Sequence, residues 1–493
     1  MRIVCDSCKS RFEFDDSRIP ANGVRIRCAN CSHVFSVTRR RVESDSNKRL
    51  VPPGRYVVSR SKDGTLEAHL GTSVGVTLYD RRADVGGLIH LLLPEPPSTE
   101  KPRQPERYAA TGLLLFLQAL SELGARKERL EACVAGGALM GSSSEPNLNL
   151  DIGGRTTEAV EYILRRAGIS VYRSQTGGCL GCRLSLSLRT WKSEVRPIGI
   201  QDTPAGRNFK KPTPEQLERS IQKARPIPQI VLKALRMIRD ENYGMEDVAR
   251  VIRQDQVTSA RILRLCNSAL FGLGRTIDSI DRALILLGEK RFVQLIIAAE
   301  LEGFFPQAEQ GYSLCKGGPY NHALGTAIFA ETLAKFTGKG SPDVAYTAGL
   351  LHDIGKVLLD QHLASVYPLF YQRIQTDGDE LIEVERETFG ISHPEMGWRL
   401  ANHWSLPEVL RETIKYHHHP EKATADPELT HLVYVSDLIV SGFVVGQDLE
   451  RLNADKFTRR LAKTGLSPSH LPIIIDLIPQ EVFETSMLAS IYS

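Results

Sequence analysis

The sequence predicts a multidomain chain of three modules in series: a small metal-stapled head, a mixed α/β domain and an all-α block. Three observations carry this. Two Cys-x2-Cys pairs stand within the first 31 residues, glycine-bounded apolar runs alternate with helical spacing through the middle, and helical spacing dominates from Pro226 onward. The length of 493 residues agrees, since domains run to roughly 150 residues each. An apolar fraction of 42% and a charged fraction of 24% are those of an ordinary globular protein. No apolar run approaches the roughly 18 residues of a membrane helix. "MRIVCDSCKSRF" contains no apolar signal core, and an odd count of nine cysteines, six of them in Cys-x2-Cys pairs, suits a reducing compartment, so a cytoplasmic protein is expected.

In the head, Cys5 and Cys8 form one pair and Cys28 and Cys31 the other. Nineteen residues between the pairs let two knuckle turns set four thiolates tetrahedrally around one Zn2+. Fewer than about 45 residues cannot bury a sufficient core, so the metal supplies much of the folding free energy. The segment, residues 1–40, resembles the short zinc ribbons of bacterial regulatory proteins. The first 50 residues hold eleven Lys/Arg and six Asp/Glu, a balance of +5 against +4 for the whole chain. Five charges suit a solvated surface at least as well as a nucleic-acid contact, and the solvated surface is the expectation.

"TRRRVESDSNKRLVPPG" is polar, charged and closed by a proline pair, which predicts a linker over 41–54. The α/β domain follows over 55–192. "GVTLYD" and "GLIHLLLP" read as buried strands, and "RLSLSLR" alternates Leu184, Leu186 and Leu188 with serines as a half-buried strand does. "ERYAATGLLLFLQALSELGA" and "TTEAVEYILRRAGI" have helical spacing. Ser73 lies in the small-residue turn that opens the first strand, and His90 closes the next. A hydroxyl and an imidazole so placed suit a nucleophile and its base.

Those same residues carry a resemblance. "LGTSVGVTLYD", "HLLLP", "GGALM" and "GGCLGCR" are similar to motifs of the CheD family, the chemoreceptor glutamine deamidases, over nearly the whole middle segment. The resemblance implies that a cysteine attacks the carboxamide of a receptor glutamine with histidine as base. Here the cysteine position falls on Ser73, and the threonine expected six residues earlier falls on Glu67. A thiolate is partly formed near neutral pH, whereas serine must lose its proton during attack. The expectation is therefore a recognition domain without turnover, with a chemoreceptor or a CheC-type phosphatase as the partner the resemblance implies. Residual deamidation by Ser73 and His90 is the alternative.

"RPIGIQDTPAGRNFKKPTPEQ" shows no period and predicts a second linker over 193–215. The all-α block occupies 216–493, beginning with Val231, Leu235 and Ile238 at helical spacing. Asp255, "RILRLCNSALFG" and "IDRALILLG" resemble the HDOD family of bacterial signalling output domains. Further on stand His322 in "YNHALGTA", His352, Asp353 and Lys356 in "LLHDIGK", His393 in "ISHPEMG", His417 and His418 in "YHHHP", and Asp437 in "YVSDLIV". Imidazole nitrogens and carboxylate oxygens on several helices can hold two divalent ions, with the vicinal Asp353 bridging them and Lys356 meeting a phosphate oxygen. This order resembles the HD superfamily of metal-dependent phosphohydrolases and its HD-GYP branch, although "HHHPEKATAD" lacks the Gly-Tyr-Pro signature. The resemblance implies a pair of iron, manganese or other divalent ions and a nucleotide ligand. The function expected is a signal-transduction protein that pairs a CheD-like recognition domain with an HDOD output domain. A phosphohydrolase acting on a nucleotide second messenger is the alternative.

Overall fold

The structure is a computed structural model. It describes residues 2–4, 8, 11–13, 24–37, 48–97, 102, 104–138, 151–178, 181–197, 211–237, 249, 252–253, 255–268, 277–305, 311–312, 318–363, 366, 370, 373–374, 379–443, 454–480 and 482–483. It divides into two compact units, residues 1–48 and 49–493.

The first unit is two antiparallel hairpins, Arg2–Val4 (β1) with Arg11–Glu13 (β2) and Val24–Arg27 (β3) with Val34–Val37 (β4). Cys8 lies in the connection of the first hairpin, and Cys28 and Cys31 lie in that of the second. Strands of three and four residues are too short to build a core of their own, so the cysteine turns are the expected staple.

From the boundary onward the strands Lys48–Leu50 (β5), Arg55–Arg60 (β6), Thr65–Leu70 (β7), Val74–Asp80 (β8), Val85–Leu91 (β9), Glu131–Gly136 (β10), Ser170–Thr176 (β11), Cys182–Ser187 (β12) and Ser193–Pro197 (β13) build two sheets. One has the order β11-β10-β8-β9-β6 and the other β13-β12-β7-β5. Helices Ala109–Glu122 (α1) and Ile152–Arg166 (α2) cover the first sheet. Strand β8 is buried throughout because it is covered on both faces. Val74, Val76 and Leu78 face α1 and α2, while Tyr79 turns to the second sheet with Leu88, Cys133 and Ala135. The second sheet closes that face with Leu66, Ala68, Leu184 and Leu186. Two stretches expected as linkers contribute strands. Ser193–Pro197 pairs with β12, its Ser193 and Val195 inward, and β5 leads into the buried Val51. Neither run is longer than five residues, too short for alternation to stand out.

The helical block comprises Pro214–Lys223 (α3), Gln229–Met237 (α4), Gln256–Cys266 (α5), Ile280–Glu302 (α6), Gly318–Thr337 (α7), Pro342–Leu351 (α8), Ile354–Leu363 (α9), Leu381–Phe389 (α10), His393–His403 (α11), Glu408–Tyr416 (α12), Pro427–Phe443 (α13), Ala454–Lys463 (α14) and Leu471–Asp476 (α15). A capping box at Thr213 and Gln216 starts α3, inside the expected linker. Helix α6 breaks at Gly288, whose φ of 71° is a left-handed conformation that other residues rarely adopt. Helix α7 packs against α8 and α13, and α9 against α11. Leu92, Leu93, Tyr108 and Ile152 of the α/β domain belong to the same apolar cluster as the core of the helical block. Among the described residues no helix is long and apolar enough to cross a membrane.

Candidate functional site

Three sites emerge from these elements. In the head, Cys8, Cys28 and Cys31 offer sulfurs within 4.8 Å of one another, and Cys5 lies outside the described residues. The Cys8 and Cys28 sulfurs are 3.5 Å apart, far beyond a disulfide bond and near the ~3.8 Å edge of a tetrahedron with Zn–S of ~2.3 Å. The amide of Asn30 donates to Cys28 Sγ at 3.4 Å.

In the α/β domain, Ser73 and His90 meet. Ser73 Oγ lies 2.7 Å from His90 Nε2, and both residues are buried. The other ring nitrogen, Nδ1, is 3.0 Å from the carbonyl oxygen of Val51, which can only accept. Nδ1 therefore carries the proton, and Nε2 accepts from the serine hydroxyl. Burial drives the His90 imidazole down to about 4, so the ring is neutral near pH 7. The Val51 carbonyl thus acts as the orienting third group. Sequence reasoning missed it because a backbone oxygen leaves no mark in residue identity.

In the helical block the predicted ligands converge from five elements. His322 comes from α7, His352 from the end of α8 and Asp353 from the junction with α9. His393 opens α11, His417 and His418 follow α12, and Asp437 sits within α13. They fall into two sets, His322, His352 and Asp437, and Asp353, His393, His417 and His418, each with donor atoms within 4.8 Å. All seven are buried. Asp353 serves both sets. Its Oδ2 lies 3.3 Å from His352 Nε2 and 3.7 Å from His322 Nε2, while its Oδ1 lies 3.3 Å from His393 Nε2 and 3.5 Å from His417 Nε2. Asp437 Oδ1 is 2.9 Å from His322 Nε2.

Glycine makes the convergence possible. A Cβ on Gly355 would lie 2.0 Å from the carbonyl oxygen of His393 and 2.6 Å from the amide of Gly397. Only a residue without a side chain lets α9 and α11 approach so closely, which brings His393 beside Asp353.

The ring orientations suit cations. Nδ1 of His352 lies 2.7 Å from the carbonyl of Gly349, and Nδ1 of His417 lies 2.8 Å from that of Ile414. Each Nδ1 must donate, so each Nε2 turns its lone pair inward. The Nε2 atoms of His417 and His418 lie 3.2 and 2.9 Å from that of His393. Burial pushes the His417 ring down to about 4 and the His418 ring well below its ordinary value, so both keep their lone pairs near pH 7. Burial works to raise the carboxyls, but His352 and Lys356 hold Asp353, and His322 and His352 hold Asp437, well below the usual carboxylate range. Burial works to lower the His352 and His393 rings, but Asp353 and Asp437 hold His352 well above its ordinary value and Glu385 raises His393, so these two rings share the charge of the buried carboxylates. His352 Nε2 and Asp353 Oδ1 make no hydrogen bond among the described residues. Buried lone pairs and anions so arranged fit divalent cations.

Two neighbours complete the centre. Lys356, expected to meet a phosphate, has its Nζ 2.7 Å from Asp353 Oδ2 and 5.6 Å from the ring centre of Tyr312. Glu385, which the sequence did not single out, accepts from the His393 amide and lies 2.8 Å from His393 Nδ1, and Tyr312 Oη donates to it at 2.6 Å. In "LIEVERETFG" Glu385 reads as one more charge on an amphipathic helix.

Known proteins agree with this division. The zinc-ribbon domain family matches residues 1–36, the CheD chemotactic sensory transduction family residues 92–197, and the HDOD domain family residues 225–420. A Pyrococcus abyssi protein described as a probable chemoreceptor glutamine deamidase CheD is 39% identical over 145 residues, which are 29% of this chain and 88% of that one. The chemoreceptor glutamine deamidase CheD of Thermotoga maritima is 34% identical over 152 residues, 31% of this chain and 93% of its own length. The chain belongs to the CheD family. Its CheD domain stands between a zinc-ribbon domain and an HDOD domain. Ser73 and His90 precede the segment that the CheD family match spans. The crystal structure of an HDOD domain protein from Geobacter sulfurreducens covers 56% of this chain and 96% of its own, with 27% identity and a TM-score of 0.46.

Proposed function

We propose that the chain is a signal-transduction protein whose HDOD domain holds two divalent ions and hydrolyses a phosphoester, while its CheD domain recognises a protein partner. The observation that carries the first half is the division of the Asp353 oxygens between two histidine sets. When bound, an ion pair would supply Lewis-acid polarisation of a phosphoester, a nucleotide being the substrate class that the HD-type order of residues suggests. His322, His352 and Asp437 would hold one ion, and His393, His417 and His418 the other, with Asp353 common to both. Lys356 offsets the Asp353 charge, Tyr312 and Glu385 fix the His393 ring, and the buried setting excludes bulk water. In the head, Cys5, Cys8, Cys28 and Cys31 would hold zinc. The second half rests on the relatives named chemoreceptor glutamine deamidases, which make a chemoreceptor the partner class.

One observation favours a second reading. The Ser73–His90 contact with its Val51 orienter has the geometry of a nucleophile and base. Replacing Ser73→Cys tests it: glutamine deamidation appearing in the variant marks a site disabled at one atom, and a folded but inactive variant leaves recognition.

The metal content of the purified chain tests the main reading. Elemental mass spectrometry of the parent, His352→Ala and Asp353→Ala should find zinc in all three, with iron or manganese in the parent alone. Zinc alone in the parent, unchanged in both variants, would refute the hydrolase.

A further inference from the structure

The turn that carries Ser73 faces the HDOD domain. Ser73 is 0% exposed and Thr72 3%. The Thr72 amide points at the carbonyl oxygen of Gly442, near the end of α13, 3.5 Å away. Leu92, Leu93, Tyr108 and Ile152 of the CheD domain share the apolar core of the helical block. At the seam lies Arg107, 1% exposed. Its Nη1 donates to the carbonyl of Asp476 at 2.9 Å, and its Nη2 to that of Ile478 at 2.7 Å and to Gln480 Oε1 at 3.2 Å. The guanidinium lies 5.4 Å from the ring centre of Phe483, and Tyr108 Oη donates to Asp476 Oδ1.

The fastening reaches the dyad. Gln480 Nε2 donates to the carbonyl of Pro53 at 3.0 Å. Pro53 belongs to the short strap that holds His90: Val51 supplies the carbonyl for Nδ1, and the Gly54 amide donates to the His90 carbonyl at 2.8 Å. One residue from the far end of the chain therefore grips the segment that sets the imidazole. A side chain presented by another protein needs open surface beside its target, and here the HDOD domain takes up that face.

We infer that the dyad face of the CheD domain is a docking surface whose occupant is the HDOD domain of the same chain, locked by Arg107 and Gln480, so that an external protein reaches Ser73 only when this contact loosens. The inference concerns access. It holds whether or not the HDOD domain binds ions and whether or not Ser73 supports turnover.

The test uses the full chain carrying Ser73→Cys, treated with iodoacetamide and read by peptide mass spectrometry at position 73. Cys133, buried between the two sheets, reports unfolding of the CheD domain in the same sample. Position 73 should alkylate at least tenfold faster when Arg107→Ala or the milder Gln480→Ala is added, with Cys133 unchanged. Labelling of position 73 in the parent as fast as after urea denaturation would overturn the inference. So would an unchanged rate in both added variants, or acceleration only in step with Cys133.

Discussion

Asp353 divides two oxygens between two sets of histidines, and His393 is the ring whose own support is most elaborate. Its Nδ1 faces Glu385, which also accepts from Tyr312. Carboxylates behind ligating histidines fix ring orientation and raise basicity, and losing one costs about 10–100-fold in affinity. Glu385→Gln keeps the shape and removes the charge. Manganese affinity measured by calorimetry should fall at least tenfold, and an unchanged affinity would show that Glu385 only packs. His90 makes a prediction about pH. Its imidazole titrates near 6.5 when unfolded but is driven by burial to about 4 in the folded chain. The unfolded state therefore binds the extra proton below pH 6.5. Stability contributed by the neutral ring is whole above pH 6.5 and declines toward pH 4, by up to about 3 kcal/mol. Urea midpoints of the parent should fall more steeply over that window than those of His90→Gln; parallel curves would contradict the burial argument.

At the scale of elements, α9 and α11 approach closely at Gly355 beside the candidate metal ligands. Gly355→Ala would place a methyl against the His393 carbonyl and force the helices apart. Overpacking of this kind costs about 1–3 kcal/mol, so the melting temperature should drop and the bound divalent metal should be lost together. A variant that keeps its metal would show that the helices can part without moving His393. This glycine, within "HDIGK", was legible in the sequence only as part of a motif, because close approach is a property of two helices. Strands β8, β9 and β12 were legible since their apolar runs or alternation are long enough to read. Helices α1 and α2 showed their spacing equally well. Strands β5 and β13 were not legible, being short and partly charged, and were expected as linkers. The break at Gly288 hides in "ALILLGEKRF", where helical spacing runs through it. The site follows the same logic. Its histidines and aspartates could be read from type and order, and the place of Asp353 between the two histidine sets from its vicinal histidine. Val51, Tyr312 and Glu385 act through a carbonyl, a hydroxyl and an ordinary charge, and nothing in their neighbours marks them.

At the scale of the whole molecule, the head and the remainder are separate compact units and should lose structure separately. Small ribbons lean on their metal, whereas the second unit has extensive apolar cores. A strong zinc chelator should collapse the amide NMR dispersion of residues 24–37 and leave that of the CheD domain in place. Collapse of both would show that the units depend on one another. The grip of Arg107 on the other end of the chain has a further consequence during synthesis. Its carbonyl partner on Asp476 lies 369 residues downstream. At 5–20 residues per second, a ribosome needs on the order of 20–70 s to deliver it. For that interval Arg107 lacks its tail partners, and until the helical block is made the nascent CheD domain presents Leu92, Leu93, Tyr108 and Ile152 as an apolar patch that a chaperone or a neighbouring nascent chain can reach.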